Sequence, residues 1–258
     1  KETNSDVYVG KVRTVENIGH NCLLLTASDR LSAFDKHVCN VPGKGYSLNG
    51  MSKWWFENTR CIIDNHYLYS YGKYMVVRKT RPIKLEIVVR GYMTGSSSTS
   101  ILKMYQAGQR EIYGIKFRDD YRDHEKLDNV VITPTTKGEH DYPITPREIV
   151  EQGYLTQDEY NFIEEKALKL FEFGQTEASK KGLILVDTKY EFGRLDNGKI
   201  ILIDELHTCD SSRYWLQEDN PAYNLYNPNP KKLDKDIIRD HIKKTDSYNV
   251  PDELITKV

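Results

Sequence analysis

Charged side chains recur at alternate positions after an apolar run of the sequence. Asp187, Lys189 and Glu191 follow one such run, and Asp204 follows the next. Side chains of a β-strand alternate between its two faces, so the first three residues would share one face. Carboxylates on that face suit Mg²⁺, which takes oxygen ligands and is usually shared with substrate phosphates. A solvated strand face is the alternative, with Lys189 pairing with both neighbouring acids.

The residues between the two apolar runs predict a β-hairpin. Asp196, Asn197 and Gly198 form a turn sequence of the kind that joins two strands. A two-residue loop of Asn197 and Gly198 sets a register in which Glu191 lies directly opposite Asp204. Two facing carboxylates repel each other unless a cation lies between them. We therefore predict that Glu191 and Asp204 share a magnesium ion.

A second group of residues suits an anion. Arg90 comes at the end of a predicted strand, and a serine-rich loop with Gly95 and Ser96 follows, just before a predicted helix. Backbone N–H groups at a helix N-terminus bind anions, and an arginine adds a bidentate contact to phosphate. A flexible serine loop with a surface arginine is the alternative, and the segment alone does not decide between them.

Three further polar segments are less specific. Residues 10–13 begin a predicted strand and would suit a β-hairpin that covers phosphates, although they form no Walker A loop and an ordinary edge strand is the simpler interpretation. Residues 28–35 and 135–141 are dense in polar groups, and such segments are usually surface loops.

The composition excludes several classes of protein. The 258 residues, 38% of them hydrophobic, suffice for one large or two small domains. A net charge of -1 gives no basic field for nucleic acid, and no apolar run approaches the roughly 18 residues of a membrane span. No signal peptide is visible, and the four cysteines form no C-x-x-C pair. We therefore expect a cytoplasmic protein that binds neither nucleic acid nor a membrane.

The predicted elements divide into two domains. β-Branched and apolar runs predict an antiparallel β domain over residues 1–85, interrupted by one helix near 48–58. Capping boxes predict that helices begin after Thr145 and Thr156, within a larger α/β domain over residues 86–258. This is an α+β chain, and the cleft between its domains is the expected ligand site.

The motifs together resemble, in order and spacing, those of one family of purine-biosynthesis ligases, the SAICAR synthetases. The matching segments are GKVR at 10–13, SDRLSAFD at 28–35, LEIVVRGYMTGS at 85–96, TPTTKGEHD at 133–141, LVDTKYEFG at 185–193, DELHTCDSSRYW at 204–215 and KKLDKDIIRDHI at 231–242. Lys84 departs from the family, which usually has Pro there. The resemblance covers nearly the whole chain.

The resemblance implies a reaction and a fold. ATP, L-aspartate and carboxyaminoimidazole ribotide (CAIR) would give SAICAR, ADP and phosphate, through an acyl phosphate. The implied fold is a two-domain cleft similar to those of protein kinases and ATP-grasp enzymes. The implied cofactors are ATP and Mg²⁺. The oligomeric state is not predicted.

The resemblance also implies roles for individual residues. Glu191 and Asp204 would hold Mg²⁺, and Asp187 and Lys189 would act at the reacting part of CAIR. The remaining implied contacts are to ATP from Gly10, Lys11, Val12, Arg13, Glu86 and Lys137; to CAIR from Arg90, Ser96, Ser212 and Arg213; and to aspartate from Ser32, Asp35 and Asp141.

Two other classes of function stay open. A small-molecule kinase would share ATP and magnesium, and a degenerate regulator would bind nucleotide without turnover. A protein kinase would need G-x-G-x-x-G and H-R-D segments, and the sequence contains neither. A degenerate regulator would most easily lose a metal ligand, yet Glu191 and Asp204 are both present.

Overall fold

The fold combines antiparallel sheets with helices, which confirms the predicted α+β class. The computed structural model describes residues 7–34, 36–138 and 141–255, so Asp35 lies outside the described residues. Every strand pair with a described register is antiparallel. Within the described ranges, no helix has the length and apolar character that a membrane crossing requires.

The elements follow one another in a mixed order. The strands are β1 (Val7–Val9), β2 (Arg13–Gly19), β3 (Cys22–Ala27), β4 (Arg30–Ala33), β5 (Lys36–Asn40), β6 (Tyr67–Tyr71), β7 (Tyr74–Arg78), β8 (Arg81–Pro82), β9 (Leu85–Tyr92), β10 (Glu111–Ile112), β11 (Ile115–Lys116), β12 (Lys126–Ile132), β13 (Thr135–Thr136), β14 (Leu183–Arg194), β15 (Ile200–Ile203) and β16 (Ser212–Leu216). The helices are α1 (Lys44–Asn58), α2 (Ile101–Gln106), α3 (Pro146–Glu151), α4 (Gln157–Ser179), α5 (Pro221–Leu225), α6 (Asp236–Thr245) and α7 (Asp252–Ile255).

The chain divides into two compact units. The first draws on Lys1–Pro82, Phe192–Asp210 and Ile237–Val258, and the second on Ile83–Glu191 and Ser211–Asp236. The first unit thus takes in two segments that the sequence placed in the larger domain. Backbone hydrogen bonds account for one of them, because Leu202 N donates to Asp64 O. A domain boundary near residue 85 stays a prediction.

The first unit is built on a five-stranded sheet in the order β1-β2-β3-β7-β6. Strands β1 and β2 form a hairpin in which Val9 lies opposite Thr14, so residues 10–12 form its turn and Arg13 begins β2. Helix α6 contributes Ile238 and Ile242 to a core cluster with Leu31 of β4. Burial of such apolar side chains stabilises the unit by about 25 cal/mol per Å² removed from water.

Helix α1 begins four residues earlier than the sequence predicts. The Asp29 carboxylate accepts hydrogen bonds from the N–H groups of Gly43 and Gly45, at 3.1 and 2.9 Å. The bond from Gly45 is the main cause of the lowered pKa of Asp29. These bonds satisfy N–H groups that a helix start otherwise leaves unpaired. The cap comes from a residue distant in sequence, which a local pattern cannot reveal.

The second unit places β9 between β12 and β14, and β16 pairs with β14. Helix α4 carries the predicted capping box at Thr156 and Glu159, and its buried face consists of Tyr160, Ile163, Ala167, Leu170, Phe171, Gly174 and Ala178. It packs closely on β9 at Gly91, where a Cβ atom would come 3.2 Å from Gln175 Nε2. A side chain at this position would require the end of the Gln175 side chain to shift by a few tenths of an ångström.

The predicted two-residue loop of the β14–β15 hairpin is wrong. Leu195 N donates to Lys199 O at 2.9 Å, and Gly198 N donates to Leu195 O at 2.9 Å. The loop therefore has three residues instead of two, with Gly198 at φ 83°. A type I turn followed by a left-handed glycine gives this loop length. The register argument that set Glu191 opposite Asp204 therefore loses its basis.

Candidate functional site

Asp187 is the centre of a row of charged residues across three strands of the second unit. On β14 it lies opposite Arg90 of β9 and opposite Arg213 of β16. Its Oδ2 atom accepts a hydrogen bond from Arg213 Nη1 at 2.7 Å and lies 3.6 Å from Arg90 Nη1. Both Asp187 and Arg90 are buried. One carboxylate thus holds two guanidinium groups on a single face of the sheet.

Arg90 is held on its other side by a threonine. Its Nε atom donates to Thr133 Oγ1 at 2.8 Å. Burial lowers the pKa of Arg90, and the Asp187 carboxylate opposes that effect. Gly95 lies beside the guanidinium at φ 124°, where a Cβ atom would clash with Ser100. The glycine thus brings the loop that carries Ser96 close to Arg90, as the anion-site prediction requires.

Lys189 lies between two carboxylates. Its Nζ atom donates to Glu86 Oε1 at 2.9 Å and to Glu191 Oε1 at 2.7 Å. Lys137 donates to the second oxygen of Glu191. Strand alternation gives Glu86 and Lys189 the same face as Asp187. The side chain of Glu86, which is predicted to contact ATP, therefore holds Lys189 in this structure.

A second charged cluster lies in the first unit. Arg13 Nη2 is 2.8 Å from Asp204 Oδ1 and 2.9 Å from Glu205 Oε1. The backbone of Asp204 has φ 72°, in the left-handed region that favours glycine. The cluster opens on a small cavity whose other walls are mostly apolar, lined by Val12, Leu25, Ala27, Leu48, Asn49, Ser52 and Met75.

The turn of the first hairpin is fixed by the neighbouring polar loop. Val12 O accepts hydrogen bonds from Ser28 N at 2.9 Å and from Ser28 Oγ at 2.8 Å. Arg30 donates to the carbonyl oxygens of Gly10 and Lys11, at 3.0 and 2.9 Å. Two residues of the predicted aspartate-side loop therefore organise the predicted nucleotide-side turn.

Three other residues are predicted to contact the substrates. Ser212 Oγ is 2.7 Å from Thr188 Oγ1, and strand alternation puts this pair on the face opposite Arg213. Ser32 is partly buried on β4, opposite His37, and Asp141 is exposed. The roles predicted for these residues stay predictions.

Sequence reasoning missed several acids that pair with the basic residues. Glu205 is buried beside Arg13, and Asp210 accepts a hydrogen bond from the buried Lys44 at 2.7 Å. Asp236 accepts one from Arg213 Nε at 2.6 Å. All three acids fall inside segments that match the family motifs, so the signal was present. Their partners are remote in sequence, which is why the pairing was not predictable.

The predicted magnesium ligands, Glu191 and Asp204, are both carboxylates. Glu191 and Asp204 each offer carboxylate oxygens, which Mg²⁺ prefers, usually one or two together with substrate phosphates. In the described part of the chain, no group of three or more His, Cys, Asp or Glu side chains is placed to hold a metal. The chemistry of each carboxylate by itself suits Mg²⁺.

The motifs and the fold agree with comparisons to known proteins. A family model described as SAICAR synthetase matches residues 6–253. The chain belongs to this family. A phosphoribosylaminoimidazole-succinocarboxamide synthase of Legionella pneumophila (strain Paris) is 47% identical over 234 residues, which are 90% of this chain and 75% of the relative.

Solved structures of the SAICAR synthetase family share the fold. The SAICAR synthase from Saccharomyces cerevisiae, complexed with SAICAR, superposes with a TM-score of 0.82 at 26% identity, over 100% of this chain and 92% of that chain. A Type-2 SAICAR synthetase in complex with ADP superposes with a TM-score of 0.73 at 29% identity, over 98% of each chain. The mixed antiparallel fold expected for the family is thereby confirmed.

Proposed function

We propose that the protein is an ATP-dependent ligase that joins CAIR and L-aspartate to give SAICAR, ADP and phosphate. Membership of the SAICAR synthetase family, over residues 6–253, is the observation that carries the proposal. The SAICAR and ADP bound to the two solved relatives support the same ligands. We place this activity in the cytoplasm, with no nucleic acid or membrane as partner.

The chemistry explains why the chain needs many cations. The carboxylate of CAIR is a poor electrophile and has to be activated before an amine can attack it. Its oxygen therefore attacks the γ-phosphorus of ATP, and ADP leaves. The aspartate amine then attacks the acyl carbon of the acyl phosphate, loses a proton, and inorganic phosphate departs with the former carboxylate oxygen. All substrates are anionic, and catalysis of phosphoryl transfer rests on positioning and charge stabilisation.

The charged row of the second unit is suited to the ribotide. Arg90 and Arg213 supply positive charge, and Asp187 keeps their guanidinium groups on one face. Ser96 follows Gly95, which lies beside Arg90, and offers a hydroxyl and a backbone N–H. Lys189 is suited to the CAIR carboxylate and to the charge on the transferred phosphoryl group, since it already binds carboxylates.

The nucleotide and aspartate contacts rest more on the family motifs. We assign the segment from Gly10 to Arg13, together with Glu86 and Lys137, to the nucleotide side. Bound magnesium would neutralise phosphate charge, and Glu191 and Asp204 each offer it a carboxylate. Ser32 and Asp141, with Asp35, remain our candidates for the aspartate side.

One incubation separates this proposal from its rivals. The protein is mixed with Mg-ATP, CAIR and L-aspartate, and ADP and SAICAR are measured with and without aspartate. Aspartate-dependent ADP release with formation of SAICAR supports a ligase. ADP release that does not need aspartate supports a small-molecule kinase, and the absence of turnover supports a nucleotide-binding regulator.

Substrate specificity gives a second check on the same assay. A site built to pair with the groups of one ligand discriminates strongly against analogues that leave its polar groups unpaired. We therefore expect L-aspartate to be strongly preferred over L-glutamate and L-asparagine in kcat/KM. Similar kcat/KM values for the three amino acids would contradict the proposed specificity.

A further inference from the structure

Arg213 is held by two carboxylates through two different nitrogen atoms. Its Nε atom donates to Asp236 Oδ2 at 2.6 Å, and its Nη1 atom donates to Asp187 Oδ2 at 2.7 Å. The Nη2 atom makes no hydrogen bond with the residues that the structure describes. Two contacts at different nitrogens fix both the position and the rotation of a planar guanidinium. The Nη2 end of the guanidinium group can therefore bind a ligand.

Asp236 is itself held in place by the start of α6. Its backbone N–H donates to Asp234 Oδ1 at 2.7 Å, and Asp234 Oδ2 accepts from Tyr214 N at 2.9 Å. Asp234 therefore connects the beginning of the helix to the strand residue next to Arg213. Asp234 and Asp236 are both buried. The carboxylate that meets Arg213 has little freedom to move away.

The charge of Arg213 is also secured by these partners. Burial alone lowers the pKa of Arg213, but the Asp187 and Asp236 carboxylates outweigh it and raise the pKa above the usual value. The guanidinium therefore stays charged in a largely buried position. A fixed and charged donor loses little side-chain entropy when it binds an anion, which favours tight binding.

We propose that Asp236 is a positioning residue for the anionic ribotide, acting through Arg213. It holds Nε, so that the Nη2 end of the guanidinium is directed to the ligand, while Asp187 holds Nη1. This inference rests on the proposed function, in which Arg213 contacts CAIR. A purely structural Asp236, which only stabilises the start of α6, is the competing explanation.

The test compares Asp236→Asn and Asp236→Glu with a matched control. Asp240→Asn makes the same change on the same helix, at a residue that is not a partner of Arg213 in the described part of the chain. Calorimetry measures the Kd of CAIR without nucleotide and, separately, the Kd of ADP. Loss of one charge-assisted hydrogen bond corresponds to about a 10- to 100-fold change in affinity.

We expect Asp236→Asn to weaken CAIR binding by that factor and to leave ADP binding unchanged. Asp236→Glu keeps the charge and should recover part of the affinity, while Asp240→Asn should behave as the wild type. In an Arg213→Lys background, Asp236→Asn should weaken CAIR binding little further, because lysine has no planar guanidinium group to orient.

Three results would overturn the inference. They are equal losses for CAIR and ADP, equal effects of Asp236→Asn and Asp240→Asn, and full additivity with Arg213→Lys. If Asp236→Asn does not fold, the Asp236→Glu affinities decide, since a structural role predicts no ribotide-specific change. A wild type that binds CAIR but makes no SAICAR would contradict the proposed function and leave this inference standing.

Discussion

The Arg13 guanidinium lies 2.8 Å from the Asp204 carboxylate, and the same nitrogen lies 2.9 Å from Glu205. One cation thus compensates two carboxylates that are adjacent in sequence. Their side chains are mostly shielded from water, with 24% and 10% exposed, so repulsion between them would be poorly screened. Arg13 therefore contributes to the stability of the first unit, whatever it contacts during turnover.

Replacing Arg13 by alanine should destabilise the protein. The two acids would lose their shared partner, and hydrogen bonds to charged groups each contribute about 1.5–3 kcal/mol. We expect a loss of about 2 kcal/mol or more in the free energy of unfolding, measured in urea at neutral pH. Arg81→Ala, at an exposed position on β8, is the control and should change it by less than about 0.5 kcal/mol. Equal effects of both substitutions would show that the pairing contributes nothing.

Replacing Asp204 by asparagine should affect magnesium use most. The change keeps the size of the side chain but removes one charge from a proposed metal ligand. The Mg²⁺ concentration for half-maximal turnover should rise at least as much as the roughly 10- to 100-fold that outer-shell changes cost metal sites. CAIR binding without nucleotide should stay nearly intact. Asp196→Asn, in the exposed hairpin turn, provides a control, and an unchanged magnesium dependence in Asp204→Asn would remove Asp204 from the metal site.

Replacing Arg90 by alanine should weaken the binding of CAIR and leave the binding of ADP unchanged. Arg90 is a buried cation beside Asp187, and truncating one partner of such a pair costs about 2–4 kcal/mol of ligand binding. Calorimetry with CAIR and with ADP measures both affinities. Arg147→Ala removes an exposed arginine from α3 and should leave both unchanged. Equal losses for CAIR and ADP in Arg90→Ala would refute the division between the two ligands.

His207 should make stability fall on the acid side of neutrality. Its ring is fully buried, with its centroid 4.6 Å from that of Trp55, and burial lowers its pKa to about 3. The unfolded chain takes up a proton near pH 6.5 while the folded protein does not, so this contribution is complete above that pH and is lost as pH falls towards 3.

The variant His207→Gln isolates this effect because glutamine does not titrate. The difference in unfolding free energy between wild type and variant should shrink by up to about 1.4 kcal/mol for each unit of pH below 6.5. Urea unfolding at several pH values between 7.5 and 4.5 measures it. A constant difference across this range would mean that His207 has the same pKa in the folded protein as in the unfolded chain, and so is not shifted by burial.

Local sequence patterns correctly predicted the features that depend on residues close together in the chain. The capping boxes at Thr145 and Thr156 are present, because a helix start needs donors and acceptors within one turn. The alternation of Asp187, Lys189 and Glu191 also correctly placed charged residues along one strand. The family resemblance, carried by ordered motifs, is confirmed over residues 6–253.

What the sequence did not reveal depends on residues far apart in the chain. The start of α1 is set by Asp29, the second carboxylate partner of Arg213 is Asp236, and the partner of Lys44 is Asp210. None of these pairs has a periodic or short-range signature. The predicted length of the hairpin loop was wrong for another reason. Its turn sequence suits both two- and three-residue loops, and the hydrogen bonds of Leu195 show which of the two forms.

The row of Arg90, Asp187 and Arg213 also has a consequence for folding. Its members come from three strands separated by long stretches of chain, so they meet only after slow, long-range strand pairing. A ribotide that binds the row would recognise the completed sheet and not the unfolded chain, and its binding energy would add to stability by mass action. CAIR would therefore act as a folding aid, raising the refolding yield of variants weakened elsewhere in the second unit.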